Sequence, residues 1–149
     1  MSSNFPSPSA GDRHGLPQWL SRDETGRLAG DGIDLSALAR EFGTPLYVYS
    51  RAYIEATFSQ FHQALKGRNA TICYALKANS NLAIIELMGQ LGCGFDIVSG
   101  GELERVVAAG CDPRKIVFSG VGKSAAEMAR ALEVDVRCFN VESLAELDK

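Results

Sequence analysis

Along residues 70–149 the apolar positions change period in a fixed rhythm. Short, nearly continuous apolar runs at Ala70–Lys77, Gly94–Val98, Lys115–Phe118 and Val136–Val141 alternate with stretches whose apolar residues recur every three or four positions. Runs of the first kind read as strands of a parallel sheet buried on both faces, and recurrence of the second kind reads as amphipathic helices between them. Leu82, Ile84, Ile85, Leu87, Met88 and Leu91 mark one helix; Leu103, Val106 and Val107, set against Glu104 and Arg105, mark another.

The joints carry helix-start signals. Asn79, Ser80 or Asn81 can cap the helix after the first strand. Ser99-Gly-Gly-Glu102, Ser124-Ala-Ala-Glu127 and Ser143-Leu-Ala-Glu146 each have the Ser-x-x-Glu spacing of a capping box, in which serine and glutamate satisfy orphan amides reciprocally. Strands and helices alternating through such short joints imply parallel βα repeats with right-handed crossovers, hence an α/β fold. About four repeats fit, whereas a closed (β/α)₈ barrel needs roughly 250 residues. Residues 31–149 are therefore expected to form part of a barrel belonging to a longer enzyme, or else an open, doubly wound parallel sheet.

Upstream the pattern is weaker. Asp34 or Ser36 can start a helix over Leu35–Phe42 that Gly43 ends before Pro45, and Leu46–Tyr49 reads as a strand. Ser50 can cap a helix in which Ile54, Phe58, Phe61 and Leu65 form one buried stripe. Residues 1–30 are rich in Ser, Pro and Gly without a sustained period and read as a mobile or loosely docked lead, Trp19-Leu20 being able to pack.

Composition narrows the function classes. With 149 residues, 46% hydrophobic, the chain can build one sizeable core, and its net charge of −3 offers no basic stripe for nucleic acid. No segment is long and apolar enough to cross a bilayer, and the amino terminus lacks a secretory pattern, so a cytoplasmic address is expected. Cys73, Cys93, Cys111 and Cys138 form no CxxC pair and suggest neither a zinc cage nor a redox motif. Cys73 and Cys138 read as small core hydrophobes of strands. His14 and His62 read as wet-face residues.

Candidate chemistry concentrates in Tyr74-Ala-Leu-Lys-Ala-Asn-Ser-Asn81. Lys77 falls at the carboxyl end of a strand, where α/β folds gather their chemistry. A partly desolvated lysine favours the neutral amine, which condenses with aldehydes to a Schiff base. The ordinary reading is a lysine that snorkels into solvent or binds an anion, and spacing alone does not displace it.

Four motifs extend the picture. Tyr74-Ala-Leu-Lys-Ala-Asn79, Phe42-Gly-Thr-Pro-Leu-Tyr-Val-Tyr49, Gly94-Phe-Asp-Ile-Val-Ser-Gly-Gly-Glu-Leu103, and Ile116-Val-Phe-Ser-Gly120 with Lys123-Ser124 together resemble the alanine-racemase-like, pyridoxal phosphate (PLP)-dependent decarboxylases of diaminopimelate, ornithine and arginine. Over residues 30–149 the wording is most similar to the diaminopimelate decarboxylases, since alanine racemases continue the lysine motif with an aromatic and a glycine, and ornithine decarboxylases tend to carry Cys where Ala78 stands. The resemblance implies that Lys77 carries PLP, that a small amino acid, meso-diaminopimelate, is decarboxylated to L-lysine, and that the enzyme is a homodimer. It implies also that the phosphate-binding loop, the group at the pyridine nitrogen and a carboxyl-terminal β-domain follow Lys149, so that this stretch alone is expected to be inactive.

Asp96 reads equally as a pocket-lining acid and as an aspartate at a wet strand edge; the resemblance places it near the cofactor and Lys77. Glu102 matches a family acid too, but its capping role already explains it. Gly120-Val-Gly-Lys-Ser124 resembles the end of a P-loop, yet Val117 stands where the first glycine is required. Gly92-Cys-Gly94 fails the dinucleotide fingerprint at Ile97.

Overall fold

The computed structural model describes residues 16–149, which divide into two units between Gln60 and Phe61. The lead over residues 1–15, His14 included, lies outside the described residues.

In the first unit, β1 (Leu20–Arg22), β2 (Leu28–Gly30) and β3 (Ile33–Asp34) form an antiparallel meander where the sequence reading placed no element. The strands are too short to show a period; the meander is set by its turns. Asp23 Oδ1 accepts from the amides of Thr25 and Arg27, and Gly26 takes φ +82°. Trp19 does pack: a Cβ on Gly30 would lie 2.6 Å from its ring, so the glycine makes room for the indole.

Helix α1 (Leu35–Phe42) is capped as expected, Asp34 accepting from the Ser36 amide, and stops at Gly43 with φ +83°. The expected strand at Leu46–Tyr49 is absent, because the segment finds no ladder partner and leaves Tyr47 84% exposed. Helix α2 (Arg51–Ala64) forms behind the Ser50 cap, but its apolar stripe is not buried: no residue of α2 is, and Phe61 is 62% exposed. Periodicity identifies the face that can pack, not whether anything covers it.

The second unit carries the repeats. Four parallel strands, β4 (Cys73–Ala75), β5 (Gly94–Ile97), β6 (Ile116–Phe118) and β7 (Cys138–Phe139), stand side by side in chain order. Between them run α3 (Leu82–Gln90), α4 (Gly100–Ala108) and α5 (Ala125–Glu133), with α4 packed between α3 and α5. A doubly wound sheet reverses its strand order at a switch point. No reversal occurs here, and the succession is that of a barrel wall.

The register separates two faces. Tyr74, Phe95, Ile97, Ile116, Phe118 and Phe139 share one, and its four central side chains, Phe95, Ile97, Ile116 and Phe118, are fully buried together with Leu103 and Val106 of α4 and Ile85 of α3. Each such side chain contributes roughly 1.5–3 kcal/mol by leaving water. Cys73, Ala75, Gly94, Asp96, Val117 and Cys138 share the other face, where side chains are small or polar. Within the second unit, only the first face is sealed by helices. Cys138 is exposed there instead of lying in a core, because β7 ends the sheet.

Of the three expected capping boxes, only Ser124/Glu127 closes reciprocally. Ser99 and Ser143 cap as expected, but Glu102 and Glu146 reach one residue farther back, to the amides of Val98 and Glu142.

Candidate active site

The carboxyl ends of β4–β7 form a rim, and its first element is the turn that bears Lys77. The chain leaves β4 through a 3₁₀ turn, Leu76–Ala78, before Asn81 caps α3 by accepting from the Ala83 amide. Leu76, fully buried, anchors the turn from below. Tyr74 Oη donates to the Asn79 carbonyl at 3.0 Å, and an Arg105 guanidinium nitrogen donates to the Ser80 carbonyl at 3.1 Å. Asn79 Oδ1 accepts from the Asn81 amide. Most of the motif around Lys77 therefore shapes the loop that presents it. Lys77 is exposed, not desolvated, and makes no hydrogen bond or ion pair with the described residues.

Asp96 lies on the face without helices, level with Ala75 of β4 and Val117 of β6. Its partner is not Lys77 but Ser119, whose Oγ donates to Asp96 Oδ1 at 2.6 Å; Asn140 Nδ2 donates in turn to Ser119 Oγ at 2.9 Å. Ser119 and Asn140 sit one step past β6 and β7, held by backbone bonds to the carbonyls of Ile97 and Phe118. Ser119 follows the predicted strand Lys115–Phe118 and Asn140 lies near the end of Val136–Val141, but only the register joins them to Asp96.

Lys123 is the other lysine of this rim, and it is committed. It is 2% exposed, donates to the Gly120 and Asn140 carbonyls, and lies 3.0 Å from Glu146 Oε1 and 5.9 Å from the Phe118 ring centre. It joins two loops, its ammonium spent on protein oxygens. Nothing in its spacing marks it as buried.

Glu102 accepts from the Val98 amide at 2.7 Å, which spends it on the turn after β5. Glu127 does similar work between helices, accepting from the amides of Gly100 and Ser124; these bonds, Gly100's first, hold its carboxyl below the usual range. Burial pushes the Cys93 thiol up to about 11.

A solvent-accessible primary amine on a turn held by side-chain bonds, at the end of a sheet whose open face carries the Asp96 carboxylate, suits an aldehyde-bearing cofactor. Over residues 51–149 the sequence matches the pyridoxal binding domain of pyridoxal-dependent decarboxylases. The chain belongs to that family. Within the pyridoxal-dependent decarboxylases, it is 60% identical over 122 residues to the diaminopimelate decarboxylase of Pseudomonas fluorescens, covering 82% of this chain and 29% of that one. The enzyme of the same name from Vibrio cholerae is 53% identical over 131 residues, covering 88% and 31%. The solved structure of diaminopimelate decarboxylase from M. jannaschii superposes with a TM-score of 0.82 at 40% identity, over 87% of this chain and 31% of that one. That from Helicobacter pylori, complexed with L-lysine, gives 0.73 at 47% identity, over 77% and 29%. The chain thus spans less than a third of the length of these relatives. Among the described residues no helix is long and apolar enough to cross a membrane.

Proposed function

We propose that this chain is the lysine-bearing part of a PLP-dependent decarboxylase that converts meso-2,6-diaminopimelate to L-lysine and carbon dioxide. The observation that carries the reading is the contrast between the two rim lysines. Lys123 is buried and ion-paired, whereas Lys77 offers an accessible amine on a turn fixed by Tyr74 and Arg105. Identities of 53–60% to diaminopimelate decarboxylases support the substrate class.

Bound PLP supplies an electron sink for the pair left when a carboxylate departs as carbon dioxide. The residues of this chain do the holding. Lys77 Nζ is the atom offered to the cofactor's aldehyde, and the Tyr74 and Arg105 bonds hold the segment that follows it. Asp96 supplies a carboxylate at the neighbouring strand end, able to hold Lys77 or the cofactor by charge or hydrogen bonding.

The L-lysine complexes of the M. jannaschii and H. pylori enzymes support a small amino acid as ligand. The four free cysteines agree with a cytoplasmic address, and the family resemblance with a homodimer.

Borohydride reduction in the presence of PLP, followed by peptide mass mapping, tests the assignment: a pyridoxyl increment is expected on the peptide bearing Lys77. An increment confined to another lysine, or undiminished carbon dioxide release from diaminopimelate by the Lys77→Ala enzyme, would falsify it.

A further inference from the structure

We propose that Ser119 and Asn140 are positioning residues that fix the Asp96 carboxylate at the rim; the inference rests on the assignment of Lys77 and Asp96 made above. The register puts all three on one face. Asp96 is level with Val117 and Val117 with Cys138, so Ser119 and Asn140, two residues farther along each strand, point the same way one step nearer the rim.

Hydrogen-bond chemistry fixes the direction of the chain. A carboxylate only accepts, so the single Ser119 hydroxyl proton is spent on Asp96 Oδ1, and the lone pairs left on Oγ can take only a donor, which is the Asn140 amide nitrogen. Asn140 is itself held. Its N–H donates to the Phe118 carbonyl at 2.9 Å, and its carbonyl accepts from Lys123, whose charge is balanced by Glu146. A buried ion pair on the helix side therefore anchors the backbone of a residue whose side chain works on the open side.

The arrangement leaves Asp96 Oδ2 without a hydrogen bond among the described residues, and a ligand at the rim meets that oxygen. Ser119 is half-buried and Asn140 exposed, so neither adds much to the core. Their bonds orient a charge at the end of the sheet where this fold places ligands.

The test uses the protein as its gene encodes it. In the wild type, the Asn140 side-chain amide protons are expected to exchange slowly by NMR, and Ser119→Ala and Asp96→Asn are each expected to release them. Ser119→Ala should slow PLP capture at Lys77, read by borohydride trapping, roughly 10- to 100-fold. Its urea midpoint should stay near that of the wild type, and Ser119→Thr should restore capture. The Ser119→Ala/Asn140→Ala double variant should be no slower than Ser119→Ala. Fast exchange in the wild type, unchanged capture in Ser119→Ala, or a lowered midpoint with normal capture each overturns the proposal. Slow exchange with no pyridoxyl on wild-type Lys77 overturns the cofactor reading and, with it, the role given to Asp96, an outcome distinct from a failure at Ser119.

Discussion

The Lys123 ammonium and the Glu146 carboxylate lie 3.0 Å apart with side chains 0% and 6% exposed. Removing one partner of such a pair strands the other charge out of water. Lys123→Met is expected to cost about 3 kcal/mol. The Lys123→Met/Glu146→Leu double variant should recover much of that loss, since a buried pair is replaceable by apolar groups. Urea titration followed by far-ultraviolet circular dichroism checks both; equal midpoints for the wild type and Lys123→Met would show that the pair contributes nothing.

Two glutamates, Glu127 and Glu146, contribute to the acid side of stability. The Glu142 amide first, then Lys123, hold the Glu146 carboxyl below its usual range, as the Gly100 and Ser124 amides do for Glu127. A depressed carboxyl contributes stability that is complete above the unfolded value, near 4.5, and is lost as pH falls through the lower folded value. The urea midpoint is expected to fall as pH drops below about 4.5. Glu127→Gln should flatten that fall while lowering the plateau, and a slope identical to that of the wild type would refute the assignment.

The Tyr74 hydroxyl and the Asn79 carbonyl, 3.0 Å apart, close the turn around Lys77. Tyr74→Phe keeps the ring and removes that bond, for a loss of about 1 kcal/mol. The larger expected effect is on capture: a looser turn should lower the rate at which borohydride fixes pyridoxal at Lys77. Unaltered trapping kinetics would mean that Leu76 and Arg105 suffice to hold the turn.

The repeats could be read from the sequence because each βα joint spends several residues on local rules. The caps at Asn81, Ser99, Ser124 and Ser143 announce the helices, and Ile116-Val-Phe118 can be little but a strand. The place of Lys77 just past a strand was legible, but only the resemblance of Tyr74–Asn79 to a family motif separated it from an ordinary strand-end lysine. The β1–β3 meander was not, since two- and three-residue strands carry no period and depend on Asp23 and on Trp19 covering Gly30. Ser119, Asn140 and Lys123 escaped for a different reason. Their partners lie 17–23 residues away, and only the strand register brings them together.

Gly94 shows how tightly that register is drawn. A Cβ there would lie 2.8 Å from the Lys115 carbonyl oxygen and 2.9 Å from Cys73 Sγ, while the Gly94 amide is already bonded to Ile72. Gly94→Ala is expected to destabilise by about 2 kcal/mol through overpacking. Gly122 has open space at its Cβ position, so Gly122→Ala should stay within about 0.5 kcal/mol of the wild type. Thermal melts of the two variants decide the matter; similar losses at both sites would show that the sheet, not Gly94 in particular, is generally intolerant.

The two sheet faces also predict an order of thiol reactivity. Cys93 is 1% exposed, its Sγ donates to the Ile72 carbonyl, and burial raises its thiol to about 11, so little thiolate exists at pH 8. Cys73 and Cys111, half-buried, are also raised by burial, whereas Cys138 stands exposed on the open face of the end strand. Iodoacetamide at pH 8 is expected to modify Cys138 first and Cys93 last, as read by timed peptide mapping. Because Cys138 shares its face with Asp96, protection of Cys138 in the protein as its gene encodes it, with Cys73 and Cys111 unchanged, would show that residues outside this chain cover the sheet there. Rapid modification would show that the face stays open.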